Sequence, residues 1–119
     1  NNAIMFISAG NIQPQDLRAE WPVDATVALA NLATARNDSL LTPAESARNV
    51  AVAALNPPGV GGCVPFAPTR YSRRGPGLRA GVKPDLAHIG GAGSPHPELG
   101  HGLFSILPDG TIVDGCGTS

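Results

Sequence analysis

The residues with the clearest chemical potential lie at opposite ends of the chain. Gly117-Thr118-Ser119 sets a hydroxyl on a tight glycine turn, and Ile7-Ser8-Ala9-Gly10-Asn11 is an apolar run that closes on a glycine and a carboxamide. A serine exposed on such a turn, where a helix could begin, is how an attacking hydroxyl is presented to a carbonyl. An asparagine N–H facing it could stabilise the oxyanion formed in that attack. Taken alone, Gly-Thr-Ser is a common turn. The pairing has meaning only if the fold brings the two segments together.

The elements that would position these residues read as follows. Residues 3–9 form a short, nearly continuous apolar run, the pattern of a strand buried on both faces in a parallel sheet. Asn11 to Pro22 is polar, carries Pro14 and Pro22, and reads as loop. Residues 24–36 favour a helix by their Ala and Leu content, with Asp24 as the N-cap, and Asn37-Asp38-Ser39 breaks it. Thr42-Pro43-Ala44-Glu45 has the order of a capping box with proline at the first helical position, predicting a short helix. Val50 to Leu55 is a second buried strand, ended by Asn56-Pro57-Pro58-Gly59, and residues 59–81 are a long turn-rich loop. Pro84 to Ile89 is a third strand, cut by Gly90-Gly91. Leu103 to Leu107 and Thr111 to Val113, joined through Pro108-Asp109-Gly110, predict a β-hairpin that delivers the chain to Ser119.

Composition narrows the function. The 119 residues suit one domain, and no window is long and apolar enough to span a membrane. An apolar fraction of 42% argues for a folded chain, while only 4% aromatic residues implies a core of Ala, Val, Leu and Ile. A formal charge of −1 gives no electrostatic case for nucleic acid or an anionic membrane. Arg70, Arg73 and Arg74 read as a solvated loop rather than a phosphate site. His88, His96, His101 and Glu98 fit no established metal-ligand spacing and read as surface groups, so no metal is assigned. Cys63 and Cys116 are either two thiols or one disulfide.

Five segments in order carry a resemblance: Ile-Ser-Ala-Gly-Asn, then Thr-Pro-Ala-Glu-Ser-Ala-Arg-Asn-Val-Ala-Val-Ala-Ala-Leu, Ser-Arg-Arg-Gly-Pro, Val-Lys-Pro-Asp-Leu and Gly-Thr-Ser. In order and spacing, over essentially all of residues 1–119, the chain resembles the subtilisin-like serine proteases. The resemblance implies an α/β fold, part of a three-layer arrangement with a mostly parallel sheet and a terminal β-hairpin. It implies Ser119 as nucleophile, with Asn11 and the Ser119 N–H as oxyanion donors. Ser8, Ala9 and Gly10 would line one wall of the pocket for the residue preceding the scissile bond. Gly10 would leave room for a side chain there, beside a backbone edge able to pair with an extended peptide. Substrates would be proteins or peptides, and a secreted or extracellular setting follows from the resemblance alone. Calcium is common in the family, but no residue here is assigned to it, and no other cofactor is implied.

The departures are equally specific. The family's Asp and His precede its Asn, and this sequence begins just before Asn11. His101-Gly102 is followed by Leu103-Phe104 and comes after the Asn motif, so it does not replace the family's His. His88-Ile89-Gly90 stands where the family has Ala-Pro-Gly, and Cys116 where it often has Asn. Without a base Ser119 is a poor nucleophile, so the polypeptide is expected to be nearly inert by itself. It reads as an excised or processed segment of a catalytic domain that would partner the remainder of that domain and self-associate through open strand edges. The alternatives are a non-catalytic pseudoprotease or binding scaffold, and a small enzyme pairing His101 with Ser119.

Overall fold

The computed structural model describes residues 3–92 and 102–118. Three parallel strands form one sheet in the order β1-β2-β3: β1 is Phe6–Ser8, β2 is Val50–Leu55 and β3 is Leu86–Ile89. Phe6 pairs with Val50 and Ser8 with Val52 on one side of β2; Val52 pairs with Leu86 and Leu55 with Ile89 on the other. A separate antiparallel hairpin joins β4 (Leu103–Ile106) to β5 (Ile112–Gly115). The fold is therefore α/β, with the parallel sheet and hairpin that the apolar runs and Asp109-Gly110 predict.

Helix α1, Ala25–Thr34, starts where expected: Asp24 Oδ1 accepts the N–H of Thr26 at 2.8 Å and of Val27 at 3.0 Å. Only Ala28 of this helix is buried, so its position depends on its C-terminal turn, where Arg74 Nη2 donates to Leu32 O at 2.8 Å.

The helix expected from Thr42 does not form. The Thr42 hydroxyl donates to Glu45 Oε1 at 2.9 Å, so the two side chains of the capping box satisfy each other instead of the backbone. Two successive turns follow, closed by Ala44 N–H on Leu41 O and Ser46 N–H on Pro43 O, and Asn49 Nδ2 also takes Pro43 O. With β2 beginning at Val50, the chain is too short to propagate a helix beyond its unfavourable nucleus.

In a sheet, paired residues of parallel strands point to the same face. One face carries Ile7, Ala9, Ala51 and Ala53, closed over by Leu40 and Ala44. The other carries Phe6, Ser8, Val50 and Val52 with Leu86 and His88, and Phe6 and Leu86 are 65% and 53% exposed. The reading of β1 as buried on both faces is thus corrected: one face is core and the other is open.

The arginines are also corrected. Arg73 donates through Nε to Asn11 O at 3.0 Å and through Nη1 to Asn37 O and Ser39 O at 2.8 Å. Arg74 Nε meets the buried Asp38 carboxylate at 2.5 Å. Arg70 Nε donates to Arg18 O, and Arg18 Nη2 to the carbonyls of Thr69 and Ser72. The guanidinium forks are spent on main-chain carbonyls, which a sequence count of charges does not reveal.

Asp85 locks β3 to β2. Its N–H donates to Ala51 O at 2.9 Å, and its Oδ2 accepts the Ala51 N–H at 2.7 Å and Lys83 Nζ at 2.5 Å. The Lys83 hydrogen bond, then the Ala51 N–H, hold the Asp85 carboxyl below the usual range. A lowered folded value stabilises the fold above the ordinary Asp range, and that contribution is lost as pH falls through the folded value. Asp85→Asn should therefore flatten the loss of stability below about pH 4, read by urea unfolding across pH. An unchanged slope would remove this role. The open sheet face predicts self-association, weakened by Phe6→Lys; a monodisperse monomer by light scattering would count against it.

Candidate functional site

The segments of interest leave the carboxyl ends of the parallel strands, the end at which open α/β sheets bind ligands. Ala9-Gly10-Asn11 follows β1, Gly90-Gly91 follows β3, and Gly117-Thr118 comes off β5 to meet both. Ser119 itself lies outside the described residues, as do His96, Glu98 and His101.

Thr118 joins the two ends of the chain. Its backbone N–H donates to Asn11 Oδ1 at 3.1 Å, and its hydroxyl lies 3.1 Å from the same oxygen and 2.5 Å from Ser8 Oγ. The donor and acceptor inventory fixes the directions. A backbone N–H can only donate, so the carboxamide atom facing Thr118 is the oxygen. The single Thr118 hydroxyl hydrogen then goes to Asn11 Oδ1, and the Ser8 hydroxyl donates to Thr118 Oγ1. The Gly10 N–H lies 3.1 Å from both hydroxyl oxygens and donates to them. With Oδ1 held in this way, the Asn11 Nδ2 donor is turned away from Thr118.

The remaining expected residues take different places. The Ala9 side chain is fully buried in the core, and its N–H extends the sheet to Val52 O at 2.8 Å. Gly10 adopts φ +91°, and a Cβ there would lie 3.0 Å from Arg73 Cδ and 3.1 Å from Leu41 Cδ1. The space beside Gly10 is thus occupied by this chain. Its backbone edge is occupied too: Gly10 O accepts Arg73 N–H, and Ile12 N–H donates to Tyr71 O. Of the three expected wall residues, Ser8 joins the Thr118 network by its side chain and Gly10 by its backbone N–H, while Ala9 does not. Thr118 is the residue that sequence reasoning passed over, although a hydroxyl between Gly117 and Ser119 was its signal.

A cavity of about 210 Å³ adjoins the network, bounded by Val52, His88, Ile89, Leu103 and Thr118 among others. His88 Nδ1 lies 3.1 Å from Ile89 O. Among the described residues no disulfide forms, and Cys63 and Cys116 are thiols. Burial, with the Asp114 carboxylate second, pushes the Cys116 thiol up, and burial with Glu20 does the same to Cys63, so neither is primed as a thiolate. Among the described residues no group of three or more His, Cys, Asp or Glu side chains is placed to hold a metal ion, and no helix is long and apolar enough to cross a membrane. Comparison with protein-family models, curated proteins and solved structures gives no match to this chain.

Gly90 is closely packed against the Thr118 turn. Gly117 N–H donates to Gly90 O at 2.9 Å, and a Cβ on Gly90 would lie 2.4 Å from Gly117 O and 2.7 Å from Ala54 Cβ. Gly90→Ala should therefore cost about 1–3 kcal/mol in urea unfolding, as overpacking does. A change within about 0.5 kcal/mol would mean that Gly117 does not pack on Gly90.

Proposed function

We propose that this chain is the part of a subtilisin-like serine endopeptidase catalytic domain that carries the oxyanion asparagine and the nucleophile. The observation that carries the reading is the hydrogen bond from Thr118 N–H to Asn11 Oδ1. It brings Gly117-Thr118 against the Ser-Ala-Gly-Asn segment across nearly the whole chain and orients the carboxamide with its oxygen toward Thr118, leaving Nδ2 as the donor the reading assigns to the oxyanion. The motif order in the sequence and a parallel α/β sheet agree with it.

In this mechanism Ser119 Oγ attacks the peptide carbonyl carbon. A histidine, which the resemblance places ahead of Asn11 together with its aspartate, takes the hydroxyl proton and later gives it to the leaving amine. Asn11 Nδ2 and the Ser119 N–H hold the negative charge that develops on the carbonyl oxygen, where preorganised donors act most strongly. The acyl-enzyme is then hydrolysed by water. The partners in this reading are a protein or peptide substrate and the remainder of the catalytic domain. The finer architecture is the three-layer subtilisin-like fold.

Fluorophosphonate labelling read by intact mass tests the reading on this chain and on any longer parent. Labelling of the parent at Ser119, and not of the 119-residue chain, is the expected result. Labelling of the chain alone would place a base inside it, at His101 or His88. No labelling of either would favour the non-catalytic scaffold. In an active parent, Asn11→Leu should lower kcat by about 10²–10³-fold with little effect on KM, and an unchanged kcat would remove Asn11 from the oxyanion hole.

A further inference from the structure

We propose that Tyr71 is a positioning residue for this site: its phenol clamps Gly90 and Gly91, and through them sets the Gly117–Thr118 turn opposite Asn11. The catalytic consequence rests on the protease reading; the clamp itself does not.

Tyr71 is the largest fully buried side chain among the described residues, with no exposed surface. Its hydroxyl lies 2.6 Å from Gly90 O and 2.8 Å from Gly91 O, and its one hydrogen is shared between them. Gly90 O also accepts the Gly117 N–H at 2.9 Å. Both lone pairs of that carbonyl are therefore used, one toward Tyr71 and one toward the residue before Thr118. The main-chain carbonyl of Tyr71 accepts the Ile12 N–H at 2.7 Å, next to Asn11. One residue thus reaches both halves of the site, the residue after Asn11 by its backbone and, through Gly90, the residue before Thr118 by its side chain.

Packing leaves the clamp little freedom. A Cβ on Gly90 would lie 3.0 Å from Tyr71 Oη, and Ala54, on which Gly90 also packs, is itself buried. Burial in these surroundings raises the phenol above its ordinary pKa, so the hydroxyl stays protonated as a donor. Phenylalanine in its place would fill the same volume while leaving two carbonyl oxygens without that donor.

The test is amide hydrogen exchange of the full chain carrying Tyr71→Phe. The Gly117 and Thr118 amides should exchange about tenfold faster, the effect of one lost hydrogen bond. The Ala9 amide, bonded to Val52 O, and the Ala51 amide, bonded to Asp85, should keep their protection. Unchanged exchange at Gly117 and Thr118, or an equal rise at all four amides, would overturn the clamp and leave Tyr71 a core side chain. In a labelling-competent parent the same substitution should slow fluorophosphonate reaction at Ser119 by about 100-fold, the scale of a small misplacement of reacting groups. Fast exchange at the two amides with no labelling even of the unsubstituted parent would keep the clamp and refute the protease reading.

Discussion

The backbone of residues 69–74 is the constraint on which the remainder of the described structure depends. A small parallel sheet leaves main-chain groups that need partners where its strands end. This segment supplies them. Thr69 N–H donates to Ala54 O near the end of β2, while Tyr71 O and Arg73 N–H pair with Ile12 and Gly10 beyond β1. On its far side Arg74 exchanges bonds with Asp38 and Leu40. Ser72 sits between these pairings and its hydroxyl accepts the Ala54 N–H at 3.1 Å. One irregular stretch therefore ties β1, β2 and the residues after α1 into a single body.

Charge is used in the same service. The Asp38 carboxylate is buried and would be costly alone, but Arg74 lies against it, with Arg18 at 3.7 Å. Arg18 and Arg73 spend their remaining donors on carbonyls that the sheet does not reach. With few aromatic side chains to bury, the chain gains less from apolar area than most domains of its length. Multidentate arginines tie its loops together instead, since each fork satisfies several carbonyls at once. The geometry at Asn11 inherits this rigidity, because Arg73 holds its carbonyl while Thr118 holds its side chain.

The two sheet faces differ for a related reason. Leu40 and Ala44 close one face with small, well-fitted side chains. The other leaves Phe6 and Leu86 largely exposed, and the hairpin adds Phe104, Ile106 and Ile112 to the apolar surface. The Ser8–Thr118 contact lies at the edge of this open face, so whatever covers the face also borders the candidate site.

Strand positions were legible from the sequence, because the apolar runs at Val50–Leu55 and Leu86–Ile89 and the Asp109-Gly110 turn carry their conformations locally. Asp24 announced its helix for the same reason: a cap is satisfied by residues two and three positions away. Thr42 and Glu45 show the limit of such signals, since two side chains able to cap a helix can equally bond each other when a strand follows at once. The functional residues divide along the same line. Asn11 and the Gly-Thr-Ser turn were singled out by residue type and motif order. That Thr118 supplies the contact to Asn11, that Ala9 is core, and that the space at Gly10 belongs to Leu41 and Arg73 were decided by tertiary structure alone. Those facts depend on pairings between segments roughly 30 to 110 residues apart, and no local pattern encodes which groups of a folded chain will meet.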